Sequence, residues 1–215
     1  MCSYWSEELK LFGASRKSPV IIDGEISLHQ IRYRDHDEWN LLRQENVEWL
    51  GPWEGTRPNI PAGSGNLKPI PSFYGMVRNH KREARAKRNI SLGIWLTKAH
   101  PHCKKFSGKP ELVGQITLGG IVFGALHGAH IGYWIDEKHA GNGYITRSVR
   151  ALTEYAFNEL ALHRIEINIR PENESSLKVA KKAGYTYEGQ RPQFLHIDGE
   201  WRDHLVFVAV NPHIL

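Results

Sequence analysis

The sequence predicts an α/β domain built on a mixed sheet. Three observations carry that reading. Helix-like and strand-like segments alternate along only part of the chain, so some strands are hairpin neighbours and others are joined through helices. A glycine-containing turn at residues 139–143 joins a strand to an amphipathic helix. The chain has 215 residues, 40% apolar and 24% charged, which suits one sizeable core with an ordinary surface.

The elements follow in order. Residues 1–25 read as an N-terminal extension closed by a turn at Gly24, and residues 26–215 as the domain. Ile26–Tyr33 alternates apolar and polar residues and predicts a half-buried strand. Arg34–Trp49 carries Trp39, Leu42, Asn46 and Trp49 at helical spacing. Leu50–Ser72 is rich in Pro and Gly. A loop that long in a compact domain is usually functional, and what precedes it is too short to be a separate domain. Phe73–Asn89 predicts a helix with Phe73, Val77 and Ala84 on one face and Arg78, Lys81, Arg82, Arg85, Lys87 and Arg88 on the other. Ile90–Lys98 and Glu111–Phe123 are strands joined by a turn-rich connection. His130–Asp136 is a short strand, Ile145–Leu160 a helix with Val149, Leu152 and Ala156 inside, and His163–Arg170 a strand. Asn173–Ala183 is a helix stopped by Gly184. Tyr185–Gly189 and Trp201–Val210 are strands joined by a tight turn at Asp198–Gly199. Most of the seven Trp belong to the core; Trp53, in the Pro/Gly loop, is the exception.

Composition narrows the function classes. Lys plus Arg is 28 and Asp plus Glu is 23, a net charge of +5. That excess permits a phosphate-bearing ligand without demanding one. Cys2 and Cys103 are the two cysteines, which excludes a disulfide framework and fits a reducing compartment. No apolar run approaches the ~18 residues of a membrane span, and the first residues carry charges where a signal peptide is apolar. A cytoplasmic protein with no membrane partner is expected. His100, His102 and Cys103 lie in a loop with no second Cys or His pair at finger-like spacing, so no metal is expected.

The stretch Trp134–Arg147 carries the chemistry. Gly141 and Gly143 allow positive φ and a close approach to a ligand. Free N–H groups of the turn and of the first helical residues then converge on one place, with the helix dipole behind them. That is a site for a pyrophosphate, with Lys138 and Arg147 near in sequence to add charge. It is neither a Walker-type loop nor a dinucleotide fingerprint. Asn173 stands where the next helix starts, as an N-cap, with Ser176 three residues on.

These two stretches resemble the core of the GNAT acetyltransferase superfamily. Lys138-His139-Ala140-Gly141-Asn142-Gly143 is similar to its Q/R-x-x-G-x-G/A turn, with Lys in the first place. Asn46–Pro58, Ile131–Trp134, His163–Asn173 and Ile197–His204 resemble the RimJ/RimL-like ribosomal-protein alanine N-acetyltransferases. The resemblance covers roughly residues 26–210. It implies a mostly antiparallel sheet whose strands 130–136 and 163–170 splay apart. Acetyl-CoA would lie in that gap, its pantetheine arm on backbone groups of Tyr133, Trp134 and Ile135. Lys138 would add charge at the turn, and the pyrophosphate would sit on His139, Ala140, Gly141, Asn142, Gly143, Tyr144 and Ile145. Asn173 would bond the pantetheine or cysteamine portion. Ser176 matches a serine proposed to protonate the leaving thiolate. The loop with Trp53 and Glu54 would line the acceptor site. The implied partner is a protein N-terminus, that of a small-subunit ribosomal protein, with the protein acting as a monomer or dimer.

The general base is left open by the residues. The positions where relatives carry a strand carboxylate, a phenolic acid and a glutamate fall on Asn168, Ala180 and Leu195. Candidates are Glu54, His196, Asp203 and a water held by Asn168. Imidazole titrates near neutrality, while His196 reads equally as a strand residue before a turn, Asp203 as a partner of Arg202 or His204, and Glu166 as a salt-bridge residue. Two other functions fit the same segments: acetylation of a small amine, and ribosome-associated assembly, with RNA contact through the basic helix face 78–88 and acetyl-CoA as a ligand only.

Overall fold

The computed structural model describes residues 19–59, 70–97 and 109–214. Its elements are β1 (Ile21–Asp23), β2 (Ile26–His29), α1 (His36–Glu45), α2 (Val47–Leu50), α3 (Phe73–Arg85), β3 (Ile90–Leu96), β4 (Glu111–Val122), β5 (Gly128–Ile135), α4 (Tyr144–Asn158), β6 (Arg164–Ile169), α5 (Glu174–Lys182), β7 (Thr186–Ile197) and β8 (Glu200–Val210). Eight strands form one sheet in the order β1-β2-β3-β4-β5-β6-β8-β7. Every pair is antiparallel except β5–β6. The mixed α/β sheet expected from the sequence is therefore present. Among the described residues no helix is long and apolar enough to cross a membrane.

Helices cover both faces. One core joins β1–β6 to α4 and α5 through Ile94, Val113, Ile131, Val149, Leu152, Ile167 and Ala180. A smaller core holds Ile31, Phe73, Val77, Trp95 and Leu112, with Trp39 and Leu42 against it. Trp95 and Leu112 are partners across β3–β4, so α1 and α3 sit on the face opposite α4 and α5.

Several boundaries differ from the sequence reading, each for a tertiary reason. Ile21–Asp23 pairs with β2 through the Gly24 turn. The strand read to Tyr33 stops at His29, and Tyr33–Asp35 turns into α1 with the Arg32 N–H donating to the Asp35 carboxylate at 2.7 Å. The helix read as Arg34–Trp49 is broken at Asn46, whose side chain is spent on the end of β5. β7 runs on through Gln190–Phe194, because β8 supplies a partner and two register shifts absorb the irregular residues, Gln193 among them at φ 48. Trp201 is 54% exposed, not core. His100, His102, Cys103 and the connection around them lie outside the described residues, as do Cys2 and Trp5.

The sheet opens in one place. β5 and β6 pair only at Gly128↔Arg164, Ala129↔Ile165 and His130↔Glu166. Beyond His130, β5 stays with β4 as far as Ile135, and β6 stays with β8 as far as Ile169. The two strands part, and where they do a cleft of about 530 Å³ is walled by the end of β5, the start of α4 and, on the far side, Glu172 and the start of α5.

Candidate active site

The backbone on the β5 side of the cleft can be read from its hydrogen bonds. The Asp136 N–H donates to Val113 O on β4 at 2.8 Å, whereas Ile135 O faces the other way and accepts from the Trp49 indole at 3.1 Å. Strand groups alternate in direction. The N–H and C=O of Tyr133 and the N–H of Ile135 therefore face the gap that β6 has left. The Ile135 carbonyl is already engaged by Trp49.

The end of β5 is held by a buried polar knot. Asn46, 1% exposed, donates to Asp136 Oδ1 at 2.7 Å and Leu42 O at 2.9 Å, and accepts from the Glu137 N–H at 2.8 Å. The other oxygen of Asp136, itself 2% exposed, is 2.6 Å from His139 Nδ1. This knot aims the turn that follows. Gly141 and Gly143 have φ 81 and 79, and a Cβ at either would meet no atom within 4 Å. Gly143 caps α4 without a side chain. The N–H groups of Tyr144, Ile145 and Thr146 have no intrahelical acceptor, and these three residues line the cleft.

Across the cleft, the Asn173 carbonyl oxygen caps α5 by accepting from the Ser176 N–H at 3.0 Å. The Ser176 carbonyl lies 3.5 Å from the Tyr133 phenol, and the Ser176 side chain is also a hydrogen-bond partner of that phenol. Burial pushes that phenol up to about 12, so it stays protonated at neutral pH and serves as neither base nor charge. Folding holds the proton more tightly than the unfolded chain, where a tyrosine titrates near 10. This stability is fully present below pH ~10 and is lost as pH rises through about 12. Denaturation measured between pH 9 and 12 is therefore expected to show a shallower alkaline loss for Tyr133→Phe than for the parent chain.

A strap closes the third side. Trp53 lines the cleft, with the Arg170 guanidinium 5.2 Å from its ring centre. Arg170 also donates to Pro52 O at 2.7 Å and pairs with Glu172 at 3.2 Å. Glu54 is ion-paired with Arg43, which lies 5.1 Å from the Trp134 ring centre and 5.9 Å from that of Trp39. Gly55 bridges to Ile197, and the Thr56 hydroxyl sits 2.8 Å from His196 Nδ1. The strap is thus fixed to α1, to the end of β6 and to the β7–β8 hairpin. Replacing Arg43 with Ala is expected to raise the KM for the acceptor by roughly 10-fold and that for acetyl-CoA by less, because the strap loses its ion pair while Trp134 loses only a cation–π contact and β5 keeps its backbone pairing with β4; two-substrate kinetics checks this.

The structure thus brings together many of the residues picked out from sequence. Tyr133, Trp134, Ile135, His139, Ala140, Gly141, Gly143, Tyr144, Ile145, Asn173, Ser176 and Trp53 all line the cleft. Others are engaged elsewhere. Lys138 pairs with Glu45 at 2.6 Å, Arg147 with Asp23 and Glu25 at 2.8 and 2.7 Å, and the Asn142 amide donates to His139 O and Ala140 O. Asn168 accepts from Arg191 at 3.1 Å, beside the Glu166–Arg191 and Glu166–Arg164 pairs. Asp203 accepts from Gln190 and from the Gln193 N–H, both at 2.8 Å, not from Arg202 or His204. None of Asn168, His196 and Asp203 lines the cleft. Trp49, Leu50, Lys178 and Lys182 do line it and were not singled out in the sequence. The spacing of Lys178 and Lys182 along the helix that Asn173 starts was the available signal.

A parted parallel strand pair, with a glycine-turned helix start on one side and a capped helix start on the other, is the arrangement of an acyltransferase fold. Residues 26–186 match the family model described as Acetyltransferase (GNAT) domain, and the chain belongs to that family. It is 28% identical over 180 residues to the [Ribosomal protein uS5]-alanine N-acetyltransferase of Escherichia coli, covering 83% of this chain and 84% of that one. It is 45% identical over 102 residues to the Bacillus subtilis protein named probable N-acetyltransferase YjcK, covering 47% of this chain and 56% of that one, so that match spans little more than half of YjcK. The structure of Mycobacterium smegmatis RimJ in complex with CoA-disulfide superposes with a TM-score of 0.72 at 29% identity, covering 88% of this chain and 83% of that one.

Proposed function

We propose that this acetyltransferase moves the acetyl group of acetyl-CoA onto a protein N-terminal α-amine, of the ribosomal-protein alanine type. The observation that carries the reading is the cleft between the parted β5 and β6, with backbone N–H groups on one wall and two helix starts at its ends. The pyrophosphate fits the turn at Gly141–Gly143 and the N–H groups of Tyr144–Thr146. Lys182 lines the same cleft and supplies positive charge, while Lys178, which also lines it, is 3.6 Å from Glu174. Asn173 keeps its amide N–H₂ for the pantetheine arm, since its oxygen is used by the cap.

The neutral amine attacks the thioester carbon, and the tetrahedral oxyanion takes the N–H of Tyr133 or Ile135. The C–S bond then breaks, and the Ser176 hydroxyl, which lines the cleft beside the Tyr133 phenol, gives its proton to the departing thiolate. The attacking amine, an ammonium once the C–N bond has formed, releases a proton to solvent, and solvent returns one to Ser176, so the hydroxyl is restored and the products are the amide and the free thiol of CoA. An α-amine with a pKa of roughly 7.7–8.0 is ~10–20% neutral at pH 7, whereas a lysine near 10.4 is almost wholly charged. No strong base is therefore required, which agrees with His196, Asp203 and Asn168 being tied into hydrogen bonds away from the cleft. The likeness to a relative named for an alanine of a ribosomal protein supports the acceptor class.

The test is thiol release from acetyl-CoA with two matched peptides, one with a free N-terminal alanine and one with a blocked N-terminus and an internal lysine. Turnover with the free alanine alone is the expected result, with kcat/KM rising through the pKa of the α-amine. Turnover with the lysine peptide, or only with small amines, would overturn the reading. Ser176→Ala is expected to lower kcat by roughly 10²-fold with KM for acetyl-CoA little changed, the range of a lost general acid. An unchanged kcat would remove Ser176 from the mechanism.

A further inference from the structure

The basic face of α3 takes no part in the cleft. α3 packs on β3, on the face opposite α4 and α5, and none of its residues lines the opening between β5 and β6. Its cations therefore do not serve the phosphates of a donor bound there. Tyr74, Arg78, Lys81 and Arg85 form one stripe at i, i+4, i+7 and i+11 along the helix; at 1.5 Å per residue that stripe is about 16 Å long. Glu83, the one carboxylate of α3, is taken up by Arg82 and Arg88 at 3.2 and 2.7 Å. Arg78, Lys81, Arg85 and Lys87 have no carboxylate partner among the described residues.

Aromatic rings cluster at one end of the stripe. Tyr74 is 53% exposed and Tyr33 is 45% exposed, with ring centres 5.8 Å apart. His36 is stacked on Tyr74 at 5.1 Å and 7°, and Phe73 meets both rings edge-on. The rings are thereby held in place, which lowers the entropic cost of stacking a further ring on them. Lys81 Nζ lies 4.4 Å from the Tyr33 ring centre. Such an exposed cation–π contact is worth about 0.5–1 kcal/mol, whereas a base stacked on an aromatic side chain is worth about 1–3 kcal/mol. A base can displace the ammonium, and the freed charge then lies beside the strand's phosphates. Arg34, beside Tyr33, has a side chain that is 74% exposed, with its Nε 3.7 Å from the Asp35 carboxylate.

We propose that Tyr33 and Tyr74, together with Arg78, Lys81 and Arg85, form a docking surface for single-stranded RNA. The charge fits a polyanion, and the fixed, half-exposed rings decide which one. Base stacking on the exposed rings favours a single strand over a duplex, whose bases are already stacked on each other; an acidic peptide and an anionic membrane offer the cations charge but no base to stack.

The test is fluorescence anisotropy of a labelled twelve-nucleotide oligouridylate with the full chain. A matched duplex, heparin, an acidic peptide and anionic phospholipid vesicles serve as competitors. No acetyl-CoA is needed, so the outcome stands apart from that of the transfer reaction. The oligouridylate is expected to bind more tightly than the duplex or the peptide. Tyr33→Ala with Tyr74→Ala is expected to weaken it by about 10–100-fold while leaving heparin binding unchanged. Arg78→Ser with Lys81→Ser and Arg85→Ser is expected to reduce the slope of log K against log salt by about 2, at ~0.7 per phosphate contact. Melting curves and peptide acetylation of the same variants report that they are folded. Equal affinity for duplex and single strand, preference for the peptide or vesicles, or an unchanged affinity in the tyrosine variant would each overturn the proposal.

Discussion

Gly143→Ala is expected to raise the KM for acetyl-CoA by about 30–100-fold while the protein still folds. Gly143 has φ 79 and stands as the N-cap of α4, where an L side chain is strained by about 1–2 kcal/mol. If the backbone keeps its conformation, the new methyl meets no protein atom within 4 Å, because it projects into open space. That space is where the proposed pyrophosphate approaches the backbone. If the backbone relaxes to negative φ, the N–H groups of the turn are re-aimed and the phosphate loses its donors. Both routes weaken donor binding more than folding. A 30–100-fold loss corresponds to about 2–3 kcal/mol, whereas the strain alone lowers the melting temperature by only a few degrees in a chain of this size. Initial rates at varied acetyl-CoA, together with the melting shift produced by CoA, measure the two effects separately. An unchanged KM would remove this turn from the donor site.

Asn46→Ala carries the largest expected cost in stability. Asn46 is nearly fully buried and makes three hydrogen bonds, one of them to the buried carboxyl of Asp136. A hydrogen bond to a charged group is worth about 1.5–3 kcal/mol, and the orphaned Glu137 N–H adds about 1 kcal/mol or more. The expected loss is about 3 kcal/mol, or roughly 6–12 °C in melting temperature. Urea titration of Asn46→Ala, Asp136→Asn and the double variant checks it, since residues sharing a bond should show coupling of about 1 kcal/mol or more. A loss below 1 kcal/mol for Asn46→Ala would mean that water replaces the knot. Donor binding should weaken alongside stability, because Asp136 also holds His139 at the edge of the cleft.

The two predictions divide along what was legible. Gly141, Gly143, Asn173 and Ser176 announce themselves within a few residues of sequence, because a left-handed turn and an N-cap are local conformational demands. The element order was likewise legible, since apolar periodicity is local. Asn46 was not. It stood in a helical pattern among Trp39, Leu42 and Trp49, and only its contact with Asp136, ninety positions away, explains why the helix breaks there. The same holds for the charges. Lys138 and Arg147 are near the turn in sequence, yet Glu45, Asp23 and Glu25 claim them. Which carboxylate pairs with which cation depends on packing between distant elements.

The sequence by itself determined an α/β domain, a glycine turn leading into one helix and a polar cap starting another, and through them the kind of site. Tertiary structure alone decided that β5 leaves β6 after His130, because strand separation depends on register with β4 and β8. It also decided that Trp53 reaches the cleft, because Arg43, Arg170 and the β7–β8 hairpin fasten a loop whose own residues specify no position. Turns and caps are set by the chemistry of neighbouring residues, whereas a cleft is set by where long-range pairing stops.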